Sequence, residues 1–254
     1  PSDFPLAHAS QAQLDAWQTR FPRIARLYPA APMQAGLVFH AMQDRASYVI
    51  HTFPVLCGEL DVPAFRAAWD RVVAQHDVFR TAFVGEGQDL HQLVLANATL
   101  AWHEEDWRAL DEAQQRERFA AYRSQDKARG FDFAAPPLMR MALFRLADER
   151  YQLLWSFHHV VLDGWSIPLV YKDVVLHYQA LLEGGEAPAA SRTPPYERYI
   201  AWLAERPDDA ARAYWRAAIG DVEAPTPLAI DRLPRDGSEG YHERSVQLGA
   251  DDTA

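Results

Sequence analysis

The stretch WSFHHVVLDGWS, residues 155–166, decides how this chain is read. Its first half continues an apolar, β-rich run that predicts a buried strand over 151–157. Past Asp163 and Gly164 the spacing changes, and Val170, Val174, Tyr178 and Leu181 fall on one stripe of a helix predicted over 167–183. Gly184 and Gly185 end that helix. His158, His159, Asp163 and Gly164 therefore lie where a strand hands over to a helix. Successive side chains on a strand point to opposite faces, so the two histidines cannot act as a pair on one ligand. One should face packing and the other the opening beyond the strand end. Gly164 permits a sharp turn or the close approach of a substrate chain. The string is a poor zinc site, because only one histidine can share a face with Asp163 and no cysteine is near, so no metal is expected. A single histidine reads as well as a hydrogen-bonded core residue. Two of them with a spaced Asp-Gly are less often accidental, but so short a string does not decide alone.

Strands are predicted over 138–146 and 151–157, joined by a turn at 147–150. Residues 61–77 read as an amphipathic helix, with Pro63 in its first turn and Phe65, Trp69, Val72 and Val73 on its apolar face. Residues 48–60 predict a strand, weakened at Pro54, which has no ladder donor. Short strands follow at 78–84 and 90–96, then a polar helix over 112–129. Ser10 caps a first short helix, and residues 26–42 begin with two prolines and continue as an apolar helix. Helices are expected over 195–206 and 207–219, then an extended segment through Pro225, Pro227 and Pro234. A strand over 243–250 and a helix cap at Asp251 complete the pattern. Strands and helices mix without strict βαβ alternation, which predicts an α+β fold with a mixed sheet flanked by helices.

Composition removes several classes. With 49% hydrophobic and 12% aromatic residues the chain can bury a core, so disorder is excluded. Thirty-five acids against 25 Lys and Arg, a net charge of −10, leave no basic patch for nucleic acid. No apolar run approaches the roughly 20 residues of a membrane helix, and there is no signal-peptide pattern. Cys57 is the only cysteine, which suits a reducing compartment, so a cytoplasmic protein without membrane contact is expected. Trp69, Trp102, Trp107, Trp202 and Trp215 read as packing, and Glu104, Glu105 and Asp106 as solvated surface.

The string HHxxxDG, filled by His158 to Gly164, resembles the signature of condensation domains from non-ribosomal peptide synthetases, within the chloramphenicol acetyltransferase-like superfamily. YPAAPMQAGLVFH (28–40) resembles the family's first motif, QHDVFRTAF (75–83) its RHExLRTxF motif and YERYIAW (196–202) its fourth. Gln75 and Asp77 stand where that family has Arg and Glu. The resemblance implies a chloramphenicol acetyltransferase-like mixed sheet in one lobe of a two-lobed domain. Residues 1–25 would be an entry linker and short helix, 26–190 the N-terminal lobe, and 191–254 helices and an extended crossover toward a missing C-terminal lobe. A truncated chain of that kind would be inactive alone.

The resemblance further implies peptide-bond formation between a carrier-bound donor thioester and a carrier-bound aminoacyl acceptor. His159 would be the catalytic histidine and His158 structural. Asp163 would face away from the cleft and pair with Arg80, with Gly164 at the turn. The chain would bind no cofactor itself. Substrates would arrive on the 4'-phosphopantetheine arms of donor and acceptor peptidyl carrier domains, among neighbouring synthetase domains. The PMQAGLVFH wording and the PSDFPL opening resemble the subtype that accepts a D-configured donor. An epimerization domain of the same superfamily and a non-catalytic recruitment platform are the alternatives.

Overall fold

The β-branched and aromatic stretches form two sheets. The computed structural model describes residues 3–21, 23–185, 194–224, 246 and 248–252. It divides into two units, Pro1–Arg206 and Pro207–Ala254. In the first, α1 (Gln11–Arg20) starts at Ser10, whose hydroxyl takes the Gln13 N–H, as its sequence predicts. β1 (Ile24–Pro29), β4 (Thr81–Val84) and β5 (His91–Leu95) make an antiparallel sheet in the order β1-β5-β4.

The second sheet places β8 (Arg150–His158) between β7 (Met139–Ala147) and the pair β2 (Val49–Thr52) and β3 (Val55–Cys57). β6 (Ala101–Asp106) closes the far edge, parallel to β7, while the other pairings are antiparallel. The helices are α2 (Pro32–Gln43), α3 (Val62–Gln75), α4 (Glu112–Arg129), α5 (Ser166–Leu182) and α6 (Glu197–Ala204). The α+β fold with a mixed sheet is thus observed.

Three differences from the sequence reading have plain causes. The strand expected over 48–60 is two strands, because Phe53 and Pro54 leave the ladder; the Pro54 carbonyl still accepts the Leu153 N–H at 3.0 Å. The strand expected at 78–84 begins with a short 3-10 turn, Asp77–Arg80. Residues 24–29 form a strand rather than the approach to a helix, and the helix starts at Pro32, where a missing N–H costs nothing.

The core lies on both faces of the second sheet. Trp69 of α3, Trp155 of β8 and Tyr171 of α5 meet edge to face, with centroids 5.0–6.0 Å apart. On the other face Trp107 stacks on Phe144 at 4.0 Å, over Leu154. α4 covers this side. β8 is therefore buried on both faces, and its odd and even residues belong to different cores. Ile200 of α6 packs on Tyr28 and Val94.

The second unit contributes α7 (Asp208–Ile219) and a short 3-10 turn, Ala250–Asp252. Tyr214, Trp215 and Ile219 on α7 are exposed, as is Trp202 on α6. Packing therefore holds for Trp69 and Trp107 and in part for Trp102, which lies against the same core; Trp202 is half-exposed but stacked on Tyr199, and Trp215 is exposed. The segment through Pro225, Pro227 and Pro234, and most of the strand expected over 243–250, lie outside the described residues. No helix among the described residues is long and apolar enough to cross a membrane.

Candidate active site

The end of β8 separates the histidines: His158 is the strand's last residue, and His159 opens the turn that follows it. His158 shares its face with Leu154 and Ser156 and is 1% exposed. Phe133 and Phe131, just past α4, lie edge-on to its ring at 4.8 and 6.4 Å. Its Nδ1 accepts the Val160 N–H at 3.1 Å, so the ring itself shapes the chain after the strand. Burial, and secondarily the neighbouring His159, pulls its pKa down to about 4.

In the unfolded chain a histidine takes up its proton near pH 6.5, whereas folded His158 refuses it until about pH 4. Because the unfolded state binds more protons in that window, stability falls as pH drops from 6.5 to 4, by about 3 kcal/mol in total. Urea midpoints of the parent and of His158→Asn, which keeps an acceptor for Val160, should diverge across this window. Parallel curves would show that folding does not hinder protonation of His158.

His159 is only partly buried. Its N–H donates to the Tyr48 carbonyl at 2.9 Å, and its Nδ1 lies 2.5 Å from the Leu162 carbonyl. A carbonyl can only accept, so Nδ1 carries a hydrogen. In the neutral ring the lone pair is then on Nε2. Tyr48 holds a left-handed backbone, φ 59°, which turns its carbonyl onto the His159 amide. Nothing in the sequence marks Tyr48 for this, because a bulky residue seldom adopts that conformation.

The expected ion pair between Asp163 and Arg80 is not formed. Asp163 is exposed, and its Oδ1 accepts the Ser166 N–H at 2.9 Å and the Ser166 hydroxyl at 2.7 Å. It ties down the entry to α5, and chiefly the Ser166 hydroxyl holds its carboxyl below the usual range. Arg80 is occupied elsewhere: it donates to Asp77 at 2.6 Å and to the Leu95 carbonyl. A carboxylate three residues away and the end of β5 capture the guanidinium locally. Asp77 also meets Arg26 at 3.2 Å. Gly164 has an ordinary φ, and nothing among the described residues lies within 4 Å of where a Cβ would sit. The turn therefore does not need a glycine there.

A buried charge cluster behind His158 is absent from the sequence reading. Asp126 of α4 lies 2.8 Å from His51 of β2 and accepts from the Nε of Arg140 on β7. Arg140 also donates to the Asp126 and Gly130 carbonyls at 2.6 and 2.8 Å, with its guanidinium 4.2 Å above the Phe131 ring. Burial pushes the Asp126 carboxyl up, but hydrogen bonds from His51, Arg140 and Ser156 and the charge of Arg140 outweigh it and hold it far below the usual range. Gly130 does need to be glycine: its φ is 62°, and a Cβ would meet the Arg45 carbonyl at 2.5 Å. Glu104, Glu105 and Asp106, on the outer strand β6, engage Arg66, Arg118 and Arg108. No group of three metal-ligating side chains occurs among the described residues.

Comparison with known proteins bears on this arrangement. Residues 24–254 match a family model described as Condensation domain. The chain is 36% identical to a linear gramicidin synthase of Brevibacillus parabrevis, over all of its own length and 3% of that protein. It is 34% identical to a mycosubtilin synthase of Bacillus subtilis, over 97% of this chain and 10% of that one. Among solved structures, the first condensation domain of the CDA synthetase superposes with a TM-score of 0.68 at 20% identity, over 81% of this chain and 53% of that one. The starter condensation domain of rhizomide synthetase gives 0.64 at 22%, over 80% and 51%. The chain thus spans a small part of these synthetases and about half of the solved domains.

Proposed function

Because this chain belongs to the condensation-domain family, with its chloramphenicol acetyltransferase-like fold, we propose that its site serves the aminolysis of a thioester. The amine of an acceptor aminoacyl group attacks the carbonyl carbon of a donor acyl or peptidyl thioester. The new C–N bond forms, the C–S bond breaks, the amine gives up a proton, and the donor arm leaves as its thiol. Donor and acceptor carrier domains deliver both groups on 4'-phosphopantetheine arms.

One observation supports this reading: the partly buried His159 has Nδ1–H committed to the Leu162 carbonyl, which leaves the Nε2 lone pair as the ring's acceptor. His159 touches the amine, while His158 and Asp163 hold the strand end and the helix start around it. Residues 26–190 form one lobe of a two-lobed domain in this reading. Residues 191–254 lead toward the other lobe, in a cytoplasmic synthetase with further domains.

The test uses the full chain that carries these residues, incubated with loaded donor and acceptor carriers. The expected result is a dipeptidyl thioester on the acceptor arm, formed faster from a D-configured than an L-configured donor. A racemised aminoacyl group without a new peptide bond would make the protein an epimerase. Carrier binding with neither product would make it a recruitment platform.

A further inference from the structure

Gln34, in the first turn of α2, is 7% exposed, and both hydrogens of its amide are used. Its Oε1 accepts the Ala31 N–H at 2.9 Å, and its Nε2 donates to Gln92 Oε1 at 3.1 Å and to the Val160 carbonyl at 3.3 Å. Gln92 is 1% exposed on β5 and donates in turn to the Pro29 carbonyl at 3.2 Å. A buried chain of amides therefore runs from the first sheet to the residue directly after His159. The Val160 N–H is already bound to His158. Both polar groups of Val160 are thus held, one by the histidine strand and one by α2.

We propose that Gln34 is a positioning residue for the His159 imidazole: it anchors the Val160 carbonyl and so fixes the loop whose Leu162 carbonyl orients the ring. An apolar residue in this space would fill it equally well. It would strand the Ala31 N–H, the Gln92 oxygen and the Val160 carbonyl without partners. The Val160 bond is the one among these that touches the loop, so the consequence for His159 is specific. The proposal rests on the reading of His159 as the working group, and its test separates the two.

Gln34→Glu keeps the shape and the acceptor for Ala31 but replaces the two N–H donors with none when ionised, or with a single O–H when burial keeps it protonated. In the full chain, turnover should fall about 10–100-fold, the scale of a misplaced reacting group, with KM for either loaded carrier changed less than about threefold. Nitrogen-15 NMR of selectively labelled histidine should show the His159 ring leaving its Nδ1–H tautomer for a mixture. A lowered melting temperature with tautomer and turnover unchanged would reduce Gln34 to a packing residue and overturn the proposal. A shifted tautomer with full turnover would uphold the placement by Gln34 and refute the role of His159. Should Gln34→Glu not fold, Gln34→Asn, with its amide drawn back by one methylene, takes its place in the same measurements, and each outcome is read in the same way.

Discussion

Replacing His159 with alanine should lower condensation by about 10²–10⁴-fold, the range expected for a side chain that positions the amine and eases its proton loss, while the melting temperature stays within a few degrees. The small structural effect follows from exposure: the ring is partly open, and the backbone bond from His159 to Tyr48 survives. The size of the catalytic effect depends on what Nε2 supplies. An α-amino group with a pKa near 8 is about one-tenth neutral at pH 7, a penalty of only ~1.4 kcal/mol. General-base help contributes roughly 3–5 kcal/mol, whereas holding two tethered reactants in line contributes about 7–11. The nucleophile is nearly competent alone, so orientation is the larger share. Losses should therefore differ among acceptor amines, as product formation from a panel of loaded carriers would reveal. Equal losses for every acceptor, together with a missing limb in the pH–rate profile, would mark a dedicated base instead.

Arg140→Met should cost about 3–5 kcal/mol of stability, because it strands a buried carboxylate. For a chain of this size that is a fall in melting temperature of roughly 6–20 °C. Asp126 and Arg140 are 5% and 11% exposed, so water cannot replace the lost partner. Arg140→Lys should recover only part, since a lysine cannot serve two carbonyls and a carboxylate in one plane. Removing both charges, as Asp126→Leu with Arg140→Met, should be milder than the single change; an additive loss would show that the pair does not interact.

The acid side has a definite sign. The Asp126 carboxyl is depressed when folded, so its contribution is complete above the ordinary Asp value near 3.9 and is lost as pH falls further. Arg140→Met should reduce that acid sensitivity in urea titrations. It should also slow turnover, because the Gly130 to Phe133 loop that Arg140 holds lies against His158.

What the chain discloses before folding follows its local periodicities. The histidine strand, the helix after it and the apolar face of α3 are legible because each repeats a spacing over several turns or pleats. β6 is not: AWHEED lies at a sheet edge, largely exposed, and shows no apolar alternation. β1 is hidden because Pro29 and Pro32 read as punctuation before a helix. At the site, the strand-to-helix junction is legible from periodicity, and the contrast between a buried and a more open histidine comes from where the strand ends, with His159 in the turn after it. The Asp163–Arg80 pairing failed because Asp77, three residues from Arg80, is the nearer anion. The Asp126, His51 and Arg140 cluster is beyond sequence reasoning. Its members come from three elements, and nothing local ties one to another.

The central place of β8 also sets a timetable for synthesis. β2 and β3 leave the ribosome roughly a hundred residues before the strand that completes them. At translation speeds of ~5–20 residues per second, their backbone edges wait on the order of 5–20 s for a partner. During that interval the nascent chain presents Val49–Thr52 as an open template for other strands. The histidine loop, which follows β8, is assembled only after the wait is over.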